Sequence, residues 1–359
     1  LRSPLPLLLL GNMCHGQLVK NCRDLQAAFE LTKTQDVVIQ IDPWERIDCV
    51  RFTTMSMDSN TLTVEPSYEA MFGSPHINLS EVRLEVTNGA KLIWEPAVEF
   101  RGTEEQDVNG GGVFVGEGST ARFLKDLSMT DVGVRSVAEE GVDFATYQLS
   151  GGCVYTDGYF RVDGEAKFTR CEVSGGGEAS PGPGGVLYVG EQGSVLFNGG
   201  VEMSEAGISD NEGNNGGGIY NMGKVNIKGD SVFDRLGAVA GGAIFNAAGA
   251  EFYFRSGVTA LFTDCGAFDG IGGSLYNQGY LTFSGAALFV KSGAIYVAAD
   301  GELVLSSGSV FWATGDSFNP AVIVAAGGNL QSPDSVIFFE NDTADCSTVY
   351  FEQDEVCSP

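Results

Sequence analysis

Histidine is almost missing from this chain of 359 residues, in which His15 and His76 are the only two. A Ser-His-Asp triad, a Cys-His pair or a histidine-rich metal centre would have to be built around one or two imidazoles, which sets aside the commonest nucleophilic and zinc chemistries. Pro75 and the short Gly73-Ser74 corner are expected to place His76 on a surface loop. Basic residues are scarce as well. With 20 Lys and Arg against 47 Asp and Glu, and a formal net charge of −27, the surface repels phosphate backbones and anionic headgroups, and no basic cluster offsets this locally. Nucleic acid is therefore not an expected partner, direct membrane insertion is not expected either, and polyuronates are disfavoured unless calcium bridges the carboxylates. None of the eight cysteines forms a CxxC pair, which argues against structural zinc.

Glycine, by contrast, is abundant, and it is organised. Gly111-Gly112-Val113-Phe114, Gly151-Gly152-Cys153-Val154-Tyr155, Gly184-Gly185-Val186-Leu187-Tyr188, Gly217-Gly218-Ile219-Tyr220-Asn221, Gly241-Gly242-Ala243-Ile244-Phe245-Asn246 and Gly272-Gly273-Ser274-Leu275-Tyr276-Asn277 repeat one phrase. Weaker copies stand at Ser292-Gly293-Ala294-Ile295-Tyr296 and Asn319-Pro320-Ala321-Val322-Ile323. Recurrence at about 20 to 40 residues marks a solenoid, in which each unit buries its apolar face only by stacking on its neighbours. After Gly241 the phrase is followed by Glu251-Phe252-Tyr253-Phe254 and Val258-Thr259-Ala260-Leu261-Phe262, with Gly-rich corners and no helix-length period between them. Three short strands per unit read as one coil of a parallel β-helix, right-handed by the general rule for parallel crossovers. An all-β, right-handed parallel β-helix of about eight to ten coils is the expected fold, and an antiparallel sandwich or barrel is the competing one.

The phrase Gly-Gly-Ala-[Ile/Leu]-[Tyr/Phe]-Asn, with a preceding Phe-x-x-[Asn/Cys] such as Phe168-Thr169-Arg170-Cys171, Phe262-Thr263-Asp264-Cys265 or Phe338-Phe339-Glu340-Asn341, resembles the repeats of polymorphic outer-membrane (Pmp-like) proteins. That group belongs to the wider pectin-lyase-like β-helices. The resemblance covers about two thirds of the chain and implies the fold; adhesins, surface proteins and carbohydrate-active enzymes all carry such repeats, so it leaves function open. The Asn-Thr-Asp, Gly-His-Gly and Arg-Ile-Lys elements of polygalacturonase-like hydrolases are missing from this sequence.

The expected organisation is a remnant of a secretory signal over 1–16, a cap and first coils over 17–80, β-helix repeats over 81–342 and an acidic cysteine-containing cap or tail over 343–359. Arg2 followed by a leucine-rich run, with Cys14 and Gly16 at the −3 and −1 positions of a cleavage site, reads as the signal and implies a secreted or cell-surface protein. Asn21 is expected to N-cap a short helix that presents Leu25, Ala28 and Phe29 on one face and covers the first coil. In an oxidising compartment the expected pairs are Cys22 with Cys49, Cys153 with Cys171 and Cys346 with Cys357; if cleavage after Gly16 removes Cys14, seven cysteines remain and Cys265 is expected to be the free, buried thiol. Asn78-Leu79-Ser80 and Asn341-Asp342-Thr343 are N-glycosylation sequons if the source is eukaryotic.

Three classes of site remain. Glu104-Glu105-Asp107, Glu139-Glu140-Asp143 and Asp210-Glu212 are candidates for loosely bound calcium, though none has the spacing of an EF-hand; no other cofactor is expected. Asp157 with Asp163, and Asp264 with Asp269, are carboxylate pairs to test for glycoside hydrolysis. The third is a column. Aligning the glycine pairs puts Phe114, Val154, Leu187, Ile219, Ile244, Leu275, Ile295 and Val322 in one register, and Val115, Tyr155, Tyr188, Tyr220, Phe245, Tyr276, Tyr296 and Ile323 in the next. By strand alternation the two columns point opposite ways. If the aliphatic one is core, Tyr155, Tyr188, Tyr220, Phe245, Tyr276 and Tyr296 form an outward strip suited to a polysaccharide or a protein partner. Asn221, Asn246 and Asn277 then turn inward as an amide ladder. The functional expectation is a non-catalytic surface that mediates adhesion or builds a matrix or envelope; a polysaccharide lyase or glycoside hydrolase on the same scaffold, and a filament subunit, are the alternatives.

Overall fold

Strands of three to five residues are too short to stand alone, so each must find its partner one coil away. The computed structural model shows this arrangement over residues 17–41, 46–66, 76–102, 104–106, 109–135, 149–174, 182–208, 215–305, 309–312, 322–332, 337–339 and 349–351, which are the residues the structure describes. The chain winds as a parallel β-helix with three sheets of 12, 20 and 6 strands, the coils joined by parallel pairings. In one coil, Ile244–Asn246 lies in the large sheet, Glu251–Phe254 in the 12-stranded sheet, Thr259–Thr263 again in the large sheet and Gly266–Ile271 in the small one. The last of these adds a fourth strand to the three expected per coil. Nine rungs of the 12-stranded sheet, from Lys91–Trp94 to Asn329–Gln331, fall within residues 81–342, and Gln17–Val19, Val37–Ile41 and Thr61–Pro66 carry the solenoid back into the segment before it.

The large sheet consists of two ladders that start as one. Arg46–Asp58 and His76–Thr87 are long continuous strands; the first half of His76–Thr87 pairs with Ala97–Arg101 and its second half with Val113–Val115. From there on the chain breaks away between the ladders to form the small sheet. His76 thus opens a strand, paired with Arg46 and Ala97, and not the surface loop expected from Pro75.

Inward positions are mostly apolar. Phe168, Met203, Phe233, Phe262 and Phe289 succeed one another along one ladder. The Phe233, Phe262 and Phe289 rings stack at 4.8 and 4.6 Å. Phe254 and Phe283 stack opposite them at 4.4 Å and meet them edge-on. Such pairs add about 0.5–1.5 kcal/mol each beyond their buried area.

The first coil is covered by the helix Cys22–Leu31. Asn21, in extended conformation, accepts from the Asp24 backbone N–H, and Leu25, Ala28 and Phe29 are buried. Its first residue, Cys22, is joined by a disulfide to Cys49, with 5.1 Å between Cα atoms, which ties the helix to the strand Arg46–Asp58. A second disulfide joins Cys153 to Cys171 within one coil, and Cys265 is a free, buried thiol. Cys346, Cys357 and Asn341 lie outside the described residues. Among the described residues no helix is long and apolar enough to cross a membrane.

Candidate binding surface

The glycine pairs do two separate things. One glycine per phrase, at Gly110, Gly151, Gly184, Gly216, Gly241 and Gly272, turns the chain into the strand through the left-handed region that side chains resist, at φ 69° for Gly151 and 61° for Gly241. The second has no room for one: a Cβ on Gly152 would overlap the carbonyls of Gly185 and Glu172, and one on Gly242 those of Gly266 and Gly273. The small sheet enters against this second column at Gly111, Gly152, Gly217 and Gly242, where the phrase records a repeated backbone crossing.

That crossing sets the register of the strand next to it. Val113, Val154, Leu187, Ile219, Ile244, Leu275, Ile295 and Val322 pair in sequence and are at most 1% exposed. The aliphatic column therefore faces the core. The structure corrects one placement: Val113, not Phe114, belongs to it, and Phe114 pairs with Tyr155 in the next column. Gly110, at φ 70°, fills the turn position of the first phrase, and three consecutive glycines let the sequence alignment slip by one residue.

The outward column consequently has seven rings: Phe114, Tyr155, Tyr188, Tyr220, Phe245, Tyr276 and Tyr296. Successive centroids lie 5.1, 4.8, 5.5, 4.9, 4.7 and 5.2 Å apart, with planes within 13° of parallel. Phe245 is buried at 6% exposure and the other rings are partly exposed. Because each ring lies on the next, the faces are spent on one another. At one end the Arg83 guanidinium covers Phe114 at 5.5 Å, held there by the carbonyls of Gly110 and Asn109 and paired with Glu85. At the other end Ile323 succeeds Tyr296 in register. A partner meets ring edges and hydroxyls rather than ring faces.

The hydroxyls have different neighbours. Tyr155 donates to Asp157 at 2.7 Å, Tyr188 approaches the Met222 sulfur at 3.2 Å, and Tyr276 accepts from Gln278 at 3.2 Å. Burial, then the neighbouring charge and rings, pushes the Tyr188 phenol up to about 12; burial followed by the hydrogen bond to Asp157 pushes Tyr155 up as well, and burial raises Tyr220. These phenols are neutral donors over the whole physiological range.

Behind the strip the asparagines turn inward. Asn221 donates to Asn246 and Asn246 to Asn277, both at 2.8 Å, all three fully buried, and Asn277 ends the ladder on the Glu302 carbonyl at 2.9 Å. Each amide also meets backbone groups at the corner, as when Asn221 accepts from the Gly223 N–H at 3.1 Å. This ladder fixes the coil-to-coil register directly behind the rings.

A second column carries no mark in the sequence. Asp131, Arg170, Glu205, Arg235, Asp264 and Lys291 occupy the same corner in successive coils, all exposed, all at φ between 49° and 56°, with alternating sign. Arg170 bonds both Asp131 oxygens and approaches Glu205 at 3.6 Å, and Glu205 forms an ion pair with Arg235 at 2.9 Å. The hydrogen bond from Arg170 holds the Asp131 carboxyl below its usual range. Non-glycine residues in this conformation are uncommon, which marks the corner as fixed by the coils on either side.

Asp157 and Asp163 are each engaged by other side chains. Burial alone would raise Asp163, but hydrogen bonds from Arg161, Asn198 and Arg122 together outweigh it and hold the group ionised. Asp157 is engaged by Tyr155, and Asp264 belongs to the alternating column. The side chains of Asp269, Glu104 and Glu105, together with Asp107 and all of Glu139-Glu140-Asp143 and Asp210-Glu212, lie outside what the structure describes; among the described residues no cluster of three metal-ligating side chains occurs. Asn78 sits mid-strand, half-buried, and accepts from the Ser80 hydroxyl at 3.1 Å.

No protein family matches the chain, and no curated protein does. Among solved structures, the crystal structure of a TibC-catalysed hyper-glycosylated TibA fragment is similar at 15% identity over 88% of this chain and 94% of that one, with a TM-score of 0.25.

Proposed function

We propose that this chain is a non-catalytic, secreted or cell-surface β-helix that presents a rigid face in adhesion or in an extracellular matrix or envelope, and that the aromatic column is where its partner lies. The observation that carries this reading is the seven-ring stack, an amphipathic strip seven coils long on a backbone that two inner ladders hold in register. Tyrosine edges combine apolar carbon with a neutral hydroxyl, the combination enriched where proteins meet partners. The net charge of −27 favours neutral or cationic partners, and so a neutral polysaccharide or a basic protein face. Calcium at the acidic loops is part of the proposal only as an aid to binding.

The test is retention and product analysis on a panel of neutral and acidic polysaccharides and immobilised proteins, with calcium and with chelator. Retention on one member, lost when Tyr220→Ala and Tyr276→Ala are combined and without chain shortening, is the expected result. Cleavage of any polymer would overturn the non-catalytic reading.

A further inference from the structure

We propose that the aromatic column is also a site of one-electron oxidation, at which Tyr155 carries the phenoxyl radical and couples to a phenol of a second molecule. The proton selects the residue. Oxidising a neutral phenol is easiest when the hydroxyl proton has a base to move to in the same step, and the Tyr155 hydroxyl lies 2.7 Å from the Asp157 carboxylate. The neighbouring hydroxyls differ: Tyr188 faces the Met222 thioether, a poor proton acceptor, and Tyr276 receives a hydrogen bond from Gln278. Tyr253 contacts Glu251 but lies beneath the Lys224 ammonium at 5.2 Å and the Arg255 guanidinium at 4.7 Å, and these positive charges oppose removal of an electron from its ring.

The stack then supplies a collecting path. Tyr155, Tyr188 and Tyr220 are contiguous at 4.8 and 5.5 Å, whereas Phe245, which has no hydroxyl proton to lose, separates them from Tyr276 and Tyr296. An electron taken anywhere in the first three rings leaves a hole that settles where the proton can leave, at Tyr155. With a one-electron oxidant of the peroxidase or photogenerated metal-complex class, the step balances: the oxidant gains one electron, Asp157 gains one proton, and Tyr155 becomes a neutral phenoxyl. Two such radicals join ortho carbon to ortho carbon, and each ring regains aromaticity by losing the hydrogen at that carbon as a proton while its oxygen regains one. Two phenols thus give up two electrons and two protons for one carbon–carbon bond. Within the column the Tyr155 and Tyr188 planes are 9° from parallel, face to face, so the in-plane bond cannot form there. The edges face outward, and coupling occurs between molecules.

The experiment is a light flash on the intact protein with a ruthenium complex and persulfate, followed by gel analysis, dityrosine fluorescence and peptide mapping. The expected product is a covalent dimer linked mainly through Tyr155. Asp157→Asn is expected to lower that linkage severalfold, and Phe245→Tyr to draw oxidation away from Tyr276 toward Tyr155. Linkage distributed over Tyr159, Tyr253 and Tyr280, or an Asp157→Asn variant that cross-links as the parent does, would overturn the proposal. Should Asp157→Asn fail to fold, Tyr155→Phe keeps the ring stack and removes only the phenol; an undiminished dimer from that variant would overturn it equally.

Discussion

The corner that holds the Cys153–Cys171 disulfide recurs in the six coils from Asp131 to Lys291, and it predicts where a second disulfide can be built. Cys153 precedes Val154 as Ala243 precedes Ile244, and those two residues belong to one core column. Cys171 comes after Arg170, at φ 52°, as Cys265 comes after Asp264, at φ 50°. The pairs at this corner compensate in size: a Cβ on Gly112 would meet Val132, and one on Gly218 would press on Leu236. Ala243 with Cys265 is the one described pair that is a single residue short of a disulfide. The equivalence of the corners predicts for this pair the Cys153–Cys171 Cα spacing of 5.5 Å, at which Ala243→Cys is expected to form the bond without moving the backbone. Closing a loop of about 22 residues is worth about 3 kcal/mol against the unfolded chain. Burial pushes the Cys265 thiol up to about 12, so it is protonated at neutral pH and exchanges slowly once folded. The variant should therefore be refolded from the reduced, unfolded state under an oxidising buffer. Thiol titration and urea unfolding of the oxidised and reduced forms of the same variant measure both occupancy and gain. A Cys265 thiol still free after refolding, or a bond that adds no stability, would refute the equivalence of the corners.

The columns carry three other expected outcomes. Asn246→Ala deletes the middle of the buried amide ladder and strands the Asn277 side-chain Oδ1; a loss of about 1–3 kcal/mol is expected in urea unfolding. Arg170→Asp places a third carboxylate between Asp131 and Glu205, and the resulting loss should be largest at low ionic strength and shrink as salt is added. Asp163, with a folded pKa below its unfolded value near 3.8, contributes stability that is complete above that value and is lost as pH falls through the lower folded one. Asp163→Asn should flatten that part of the acid unfolding curve while lowering stability at neutral pH.

The fold was legible because a coil boundary leaves a chemical mark. Gly151-Gly152 and its repeats record a turn and a backbone crossing, and the alternation of Leu187 with Tyr188 is set once the strand starts there. Asn21, Leu25, Ala28 and Phe29 likewise state a capped amphipathic helix in local terms. Where three glycines run together at Gly110, the mark is ambiguous and the register slipped by one. The alternating column from Asp131 to Lys291 was invisible for another reason: the loops between its members differ in length, so nothing in linear spacing relates Asp131 to Arg170 across 39 residues. The mutual covering of the ring faces was equally hidden, because a sequence gives the direction of a side chain from a strand but not its tilt against the next rung.

The most direct test of the central claim, that the outward tyrosines hold the partner, is the affinity of the retained ligand for Tyr220→Phe compared with Asn226→Ala. Tyr220→Phe keeps the ring in the stack and removes one hydroxyl; Asn226 points outward from the 12-stranded sheet, away from the strip. A drop of about two- to tenfold for Tyr220→Phe, the worth of one hydrogen bond, with no change for Asn226→Ala, is the predicted result. Equal affinities for both variants and the parent would place the partner elsewhere on the solenoid and contradict the account.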